Sequence, residues 1–173
     1  MTILVVPYNP EWPARFAEEA ALLERELSPW LATELQHIGS TSIPGLPAKP
    51  ILDMMVGVTS LDAAAGAIPV LGGLGYTHAP HREDALWFRK AAEAAESAEF
   101  LGRTHNLHLT EAGSPLWRER LAFRDALRAD PALRDEYADL KLRLATEHED
   151  GRAYTADKRP FVAGVLAAAG ITL

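Results

Sequence analysis

The sequence contains no cysteine, which rules out disulfide frameworks, thiolate nucleophiles and Cys-based zinc sites. It also lacks any apolar run approaching the ~20 residues of a membrane-spanning helix. Its start, Met-Thr-Ile-Leu-Val-Val-Pro, has neither the basic residues nor the apolar core of roughly 7–15 residues that a secretory signal needs. A cytoplasmic protein with no membrane partner is expected. Excess positive charge is absent as well: 17 Lys and Arg stand against 24 Asp and Glu, giving a formal net charge of -7. That balance opposes broad binding to nucleic-acid phosphates, while leaving room for a local basic pocket. The 173 residues suffice for a single domain with a core that needs no covalent staple.

Periodicity divides the chain into a sheet-containing part, residues 1–112, and a helical part, residues 113–173. Phe16, Ala20, Leu23 and Leu27 recur at helical spacing, so Trp12 to Glu26 reads as an amphipathic helix. Leu35 to Ile38 reads as a short strand, and the proline-rich stretch Ser42 to Pro50 as an ordered loop. Ile51 to Val58 is apolar on both faces except at Asp53, the pattern of a strand buried on both sides. Ser60 caps an alanine-rich helix that ends at Gly72-Gly73. Tyr76 to His78, Ala85 to Ala92 and Thr104 to Thr110 read as further strands, with a Glu-rich hairpin region from Glu93 to Glu99. After Ser114-Pro115, a capping residue with proline at the first helical position, the spacing predicts helices over Leu116 to Arg128, Pro131 to Glu147 and Lys158 to Ala169. This order predicts an α+β fold, a mixed sheet covered by helices rather than a doubly wound array.

The chemistry concentrates between His37 and Asp53. A strand that runs into Gly39-Ser40, followed by the hydroxyls of Ser40, Thr41 and Ser42, forms a turn able to cradle a phosphate. Lys49 adds a positive charge beside it. Asp53 lies within Ile-Leu-Asp-Met-Met-Val, where a carboxylate is costly to bury unless it is paired, hydrogen-bonded or bound to metal. Period-2 alternation places Asn106, His108 and Thr110 on one face of their strand and Leu107 and Leu109 on the other. Arg89 and Lys90 point to opposite faces, and Arg89, which shares a face with Trp87, is the candidate site member.

The string from His37 to Asp53, HIGSTSIPGLPAKPILD, resembles the hallmark of the GrpB family, a largely uncharacterised group with a nucleotidyltransferase-like fold. The resemblance extends to Tyr8, Pro10 and Trp12 and to Phe123-Arg124-Asp125, Tyr137, Lys141, Tyr154 and Lys158, and so covers nearly the whole chain. Some relatives are fused to dephospho-CoA kinase, which points toward nucleotide or coenzyme metabolism. In the wider superfamily a Gly-Ser turn holds nucleotide phosphates, and two carboxylates one residue apart, with a third on a neighbouring strand, bind two metal ions. Ser40 and Asp53 match the turn and the first carboxylate, but the second position is Met55, which cannot ligate a hard cation.

The resemblance implies that His108 takes the third carboxylate's place, so that Asp53 and His108 hold one divalent metal, Mg, Mn or Zn, with His37 as a second imidazole ligand or a general base. It also places Lys141 and Lys158 on the phosphates of a nucleotide or small phosphorylated molecule, and Tyr137 and Tyr154 on its base or ribose. Three readings follow. One is a nucleotidyltransferase that binds nucleotide at Gly39, Ser40, Thr41 and Ser42 with Lys49 and Arg89, and metal at Asp53. A non-catalytic nucleotide- or coenzyme-binding module is the second, and a single-metal hydrolase built on Asp53, His108 and His37 the third. A purely structural role leaves the loop from Gly39 to Asp53 unexplained.

Overall fold

The computed structural model describes residues 3–91 and 102–172. Within them, five strands form one mixed sheet: β1 (Gln36–Ile38), β2 (Leu52–Val58), β3 (Tyr76–His78), β4 (Leu86–Ala91) and β5 (Arg103–Glu111), in the order β1-β2-β5-β4-β3. β2 and β5 run parallel, and the other neighbours are antiparallel. The α+β expectation is met by this sheet and its covering helices. The Glu-rich region 93–99 lies outside the described residues.

Residues in register share a face, which separates the two sides of the sheet. Met54, Val56, Phe88, Leu107 and Leu109 occupy one face, packed under α1 (Trp12–Leu27), α2 (Leu61–Ala64) and α3 (Ile68–Gly73). Leu23 and Leu27 of α1 are fully buried there, each contributing roughly 1.5–3 kcal/mol of transfer free energy. The expected single helix after Ser60 is broken into α2, a 3-10 turn over Ala65–Ala67, and α3. Pro69 lacks the N–H that a continuous helix needs, and at Gly66 the chain passes so close to Trp30 that a Cβ would lie 3.3 Å from its ring.

The helical half comprises α4 (Pro115–Ala129), α5 (Pro131–Glu147), α6 (Gly151–Ala156) and α7 (Arg159–Ala168). Ser114 caps α4 by accepting from the Trp117 N–H at 3.2 Å, and Asp130 caps α5 by accepting from Ala132 and Leu133 at 2.9 and 3.1 Å. The proline-rich loop joins the halves. Its Ile43 and Leu46 are fully buried in a second core with Leu127, Tyr137 and Val165. α6, absent from the sequence reading, is one and a half turns that begin at glycine and rest on the Asp150 cap, too short to leave a periodic signature.

Candidate functional site

Asp53 stands on the second face of the sheet, beside Asn106 of β5 and Ile38 of β1. Asn106 donates Nδ2–H to Asp53 Oδ1 at 2.7 Å, which fixes the amide's orientation and leaves its own buried Oδ1 without a partner among the described residues. Gly39 adopts φ 69, and a Cβ there would lie 2.5 Å from Asp53 Oδ2. The turn thus rests directly on the carboxylate, and no side chain fits between them. Ser40–Ser42 then form one 3-10 turn, closed by Ser42 N–H and Oγ–H donating to the Gly39 carbonyl at 3.2 and 2.6 Å. Ser40 is within hydrogen-bonding reach of the buried Tyr137 hydroxyl. Burial pushes the Asp53 carboxyl above its ordinary range, opposed by the Asn106 hydrogen bond and by the positive charges of Arg120, Arg103 and Lys158.

Several cations surround that one carboxylate. Lys49 and Lys158 place their ammonium groups 4.5 and 4.3 Å from the centre of a single ring, that of Tyr154. Burial, followed by the charge of Lys49, lowers Lys158 to about 8. Across the site, the guanidinium groups of Arg89 and Arg103 lie 4.6 and 5.9 Å from the Trp87 ring. Arg103 reaches this face through the register shift between Lys90 and Ala91, which pairs Ala91 with Arg103. Lys90 turns to the opposite face, where it donates to Glu19 at 2.8 Å. Arg120 of α4 completes the set, close enough to act on Asp53, His108, Tyr137 and Lys158 alike.

A second group of cations holds the loop. Arg124 donates to the His37 carbonyl at 3.2 Å and to Gln36 Oε1 at 2.9 Å, Arg128 donates to the Ser42 carbonyl at 2.9 Å, and Arg134 to the Pro44 carbonyl at 3.4 Å. Lys141 donates to the Pro47 carbonyl. Four side chains of α4 and α5 therefore satisfy successive carbonyls along residues 37–47, groups that a proline-rich loop cannot pair within itself. Lys141 is 2% exposed, and burial lowers it to about 7. Its ammonium is engaged by the loop.

His37 departs from the expected arrangement, while His108 lies on the face of Asp53. His37 pairs in register with Met54, so it points to the face opposite Asp53, where it stacks on Phe16 with centroids 4.7 Å apart. The Thr41 hydroxyl donates to the Ile51 carbonyl at 3.3 Å and accepts from His37 Nε2 at 2.9 Å. With that proton on Nε2 and its pKa lowered to about 4, chiefly by burial, His37 supports the turn from behind, on the face opposite Asp53. Thr41 and Ser42 are both buried, their hydroxyls engaged by Ile51 and His37 and by Gly39 respectively, while the Ser40 hydroxyl is within reach of Tyr137. His108 is aligned with Met55 and Trp87, while Asp53 is aligned with Asn106. Burial lowers His108 to about 3.

These placements bear on a protein-held metal. Asp53 brings one carboxylate, already hydrogen-bonded, His108 one buried imidazole in the next register pair on that face, Met55 a thioether, and cations fill the surroundings. Among the described residues no group of three or more His, Cys, Asp and Glu side chains comes together. The donor set does not fit a resident divalent ion.

Sequence reasoning overlooked Arg103 and Arg120. The bulge that turns Arg103 to this face leaves no signal in residue spacing. Arg120 did have one: Arg120, Arg124 and Arg128 repeat every four residues, a like-charge stripe that disfavours a helix unless something opposes it. Arg124 and Arg128 meet carbonyls, and Arg120 lies near Asp53.

The comparisons with known proteins bear on the family and the fold. The chain is 34% identical over 166 residues to glutamate-rich protein GrpB of Alkalihalophilus pseudofirmus, covering 95% of the chain and 94% of that protein. It is 38% identical over 146 residues to UPF0157 protein YqkA of Bacillus subtilis, where 84% of the chain matches 40% of the longer protein. A dephospho-CoA kinase of Mycolicibacterium paratuberculosis is 32% identical over 184 residues, matched by 92% of the chain over 44% of its own length. The crystal structure of conserved protein GrpB from Enterococcus faecalis superimposes with a TM-score of 0.82 at 30% identity, covering 96% of each chain. Cid1 poly(U) polymerase with Mg 3'-dATP bound shares the fold at a TM-score of 0.54 and 15% identity, covering 82% of this chain and 42% of that one. The nucleotidyltransferase-like fold is thus established. With the GrpB protein family matched over residues 2–168, the chain belongs to the GrpB family.

Proposed function

We propose that this protein binds a nucleotide or related phosphorylated metabolite in the cleft between the Gly39-Ser40 turn and the helical half. The observation that carries the reading is the convergence of Lys49, Lys158, Arg103 and Arg120 on one carboxylate. Like charges so close repel one another, and Lys49, Arg103 and Lys158 all lie below their ordinary pKa, first by burial. An anion would relieve both penalties. Cid1 bound to Mg 3'-dATP supports a nucleotide as one such anion, on fold-level analogy.

Nucleotidyl transfer to an acceptor is the reaction class that the fold suggests, but Met55 replaces the second carboxylate. Binding therefore stands ahead of turnover. A single-metal hydrolase built on Asp53, His108 and His37 has less support, since His37 lies behind the sheet and His108 neighbours Met55. Calorimetric titration with ATP tests the proposal. Saturable binding weakened about tenfold by Lys158→Gln, a loss near 1.4 kcal/mol, is expected. Binding unaffected by Lys158→Gln and by Lys49→Gln would overturn it.

A further inference from the structure

We infer that the cleft recognises the polyphosphate part of its ligand with its own cations, holding no divalent ion and reading no base. This rests on the phosphate-binding reading above and specifies what that site accepts. Three observations lead to it.

The aromatic rings that might stack on a base are engaged already. Tyr154 is 2% exposed, and its ring serves both Lys49 and Lys158. Tyr137 is 5% exposed, stacked on Phe161 at 5.1 Å and edge-on to Phe123 at 5.3 Å. Trp87 has His81 4.3 Å away and Arg89 4.6 Å away. Each is packed as a support for cations or core, so a base gains no open face.

Charge supplies the second observation. A protein with a formal net charge of -7 has gathered Lys49, Arg89, Arg103, Arg120 and Lys158 on one side of its sheet, around Asp53. Two pairs of these cations share a ring each, and the ring's negative face partly offsets their repulsion. Such an arrangement supplies fixed positive charge where a metal pair otherwise supplies it.

The third is the sign of Asp53's effect. In a metal site the carboxylate attracts the ion that in turn holds the phosphates. Here Asp53 is a negative charge held amid the cations, and it opposes an incoming anion. Removing that charge while keeping its shape therefore has opposite consequences in the two cases. Arg120 is exposed, acts on Asp53, and offers a variant that leaves the turn and sheet untouched.

The test is equilibrium binding of inorganic triphosphate, ATP, GTP, CTP and adenosine, each in EDTA and in excess Mg²⁺, to wild type, Asp53→Asn and Arg120→Gln. The expected result is that triphosphate and all three nucleotides bind in EDTA within about threefold of one another, a spread under ~0.7 kcal/mol, while adenosine does not bind. Asp53→Asn should bind triphosphate more tightly than wild type, and Arg120→Gln several-fold more weakly. Binding that requires Mg²⁺ and disappears in Asp53→Asn would overturn the inference in favour of a metal site, as would ATP binding without triphosphate binding in favour of base recognition. If Asp53→Asn fails to fold, the EDTA series on wild type and Arg120→Gln still decides. No binding of any phosphate compound under either condition would overturn the phosphate-binding reading itself.

Discussion

Gly39 and Asp53 are in contact across the β1–β2 junction: a Cβ at Gly39 would lie 2.5 Å from Asp53 Oδ2 and 2.8 Å from Asp53 Cβ. With φ 69 and ψ -173, Gly39 occupies backbone space open essentially only to glycine, so Gly39→Ala costs roughly 1–3 kcal/mol in strain and also forces Asp53 or the turn to move. Gly75 has a similar φ of 84 but would meet only the Lys90 Cε, at 3.9 Å. Chemical denaturation of the two alanine variants compares a crowded glycine with an open one. Gly39→Ala should destabilise more than Gly75→Ala, and equal losses would mean the turn does not press on the carboxylate.

The loop clamps should differ in strength according to their geometry. Arg124, with an 11% exposed side chain, holds both His37 O and Gln36 Oε1, and hydrogen bonds to a charged group contribute roughly 1.5–3 kcal/mol. Arg124→Ala is therefore expected to cost about 2 kcal/mol. Arg134 makes a longer 3.4 Å bond to the Pro44 carbonyl from a more exposed position, and Arg134→Ala should cost under ~1 kcal/mol. Urea midpoints check the order, and a reversed order would show that the loop is held elsewhere.

Acid should unfold the protein through its buried imidazoles. His37 and His105 titrate near 4 and His108 near 3 in the folded chain, each lowered first by burial. In the unfolded chain histidine takes up its proton near ~6.5. Between those values the unfolded state binds more protons, so stability falls as pH falls from about 6.5 towards 4, by up to about 1.4 kcal/mol per pH unit for each histidine. His37→Phe should flatten the slope measured between pH 6.5 and 4.5. An unchanged slope would place that dependence on other groups.

Much of the fold was legible because it rests on periodicity and caps. The apolar run interrupted at Asp53, the Ser114-Pro115 start of α4 and the apolar stripe of α1 each state their structure locally. The site was legible only in part, for a physical reason. Residue type marked Asp53, Gly39 and Lys49 as unusual, but the face each side chain occupies depends on register. His37, adjacent to the turn in sequence, is sent behind the sheet by its pairing with Met54. Lys141 and Lys158 look alike along the chain, yet one meets the Pro47 carbonyl and the other the Tyr154 ring. Arg103 depends on a bulge that no pattern announced.

Binding driven by these cations should weaken with salt. Exposed charges are screened over about 8 Å at physiological ionic strength, and the cleft opens to solvent at Arg89 and Arg120. The dissociation constant for triphosphate should rise steadily between 50 mM and 500 mM chloride. A salt-independent constant would argue that recognition is made by neutral hydrogen bonds.

The central claim is that the ligand's phosphates sit at the Gly39-Ser40 turn beneath Lys49 and Lys158, and amide NMR during a triphosphate titration tests it most directly. The account predicts saturable shifts concentrated at Gly39, Ser40, Thr41, Lys49, Asp53 and Lys158, abolished together in Lys49→Gln with Lys158→Gln. Saturable shifts confined to other parts of the surface, or persisting in the double variant, would contradict it.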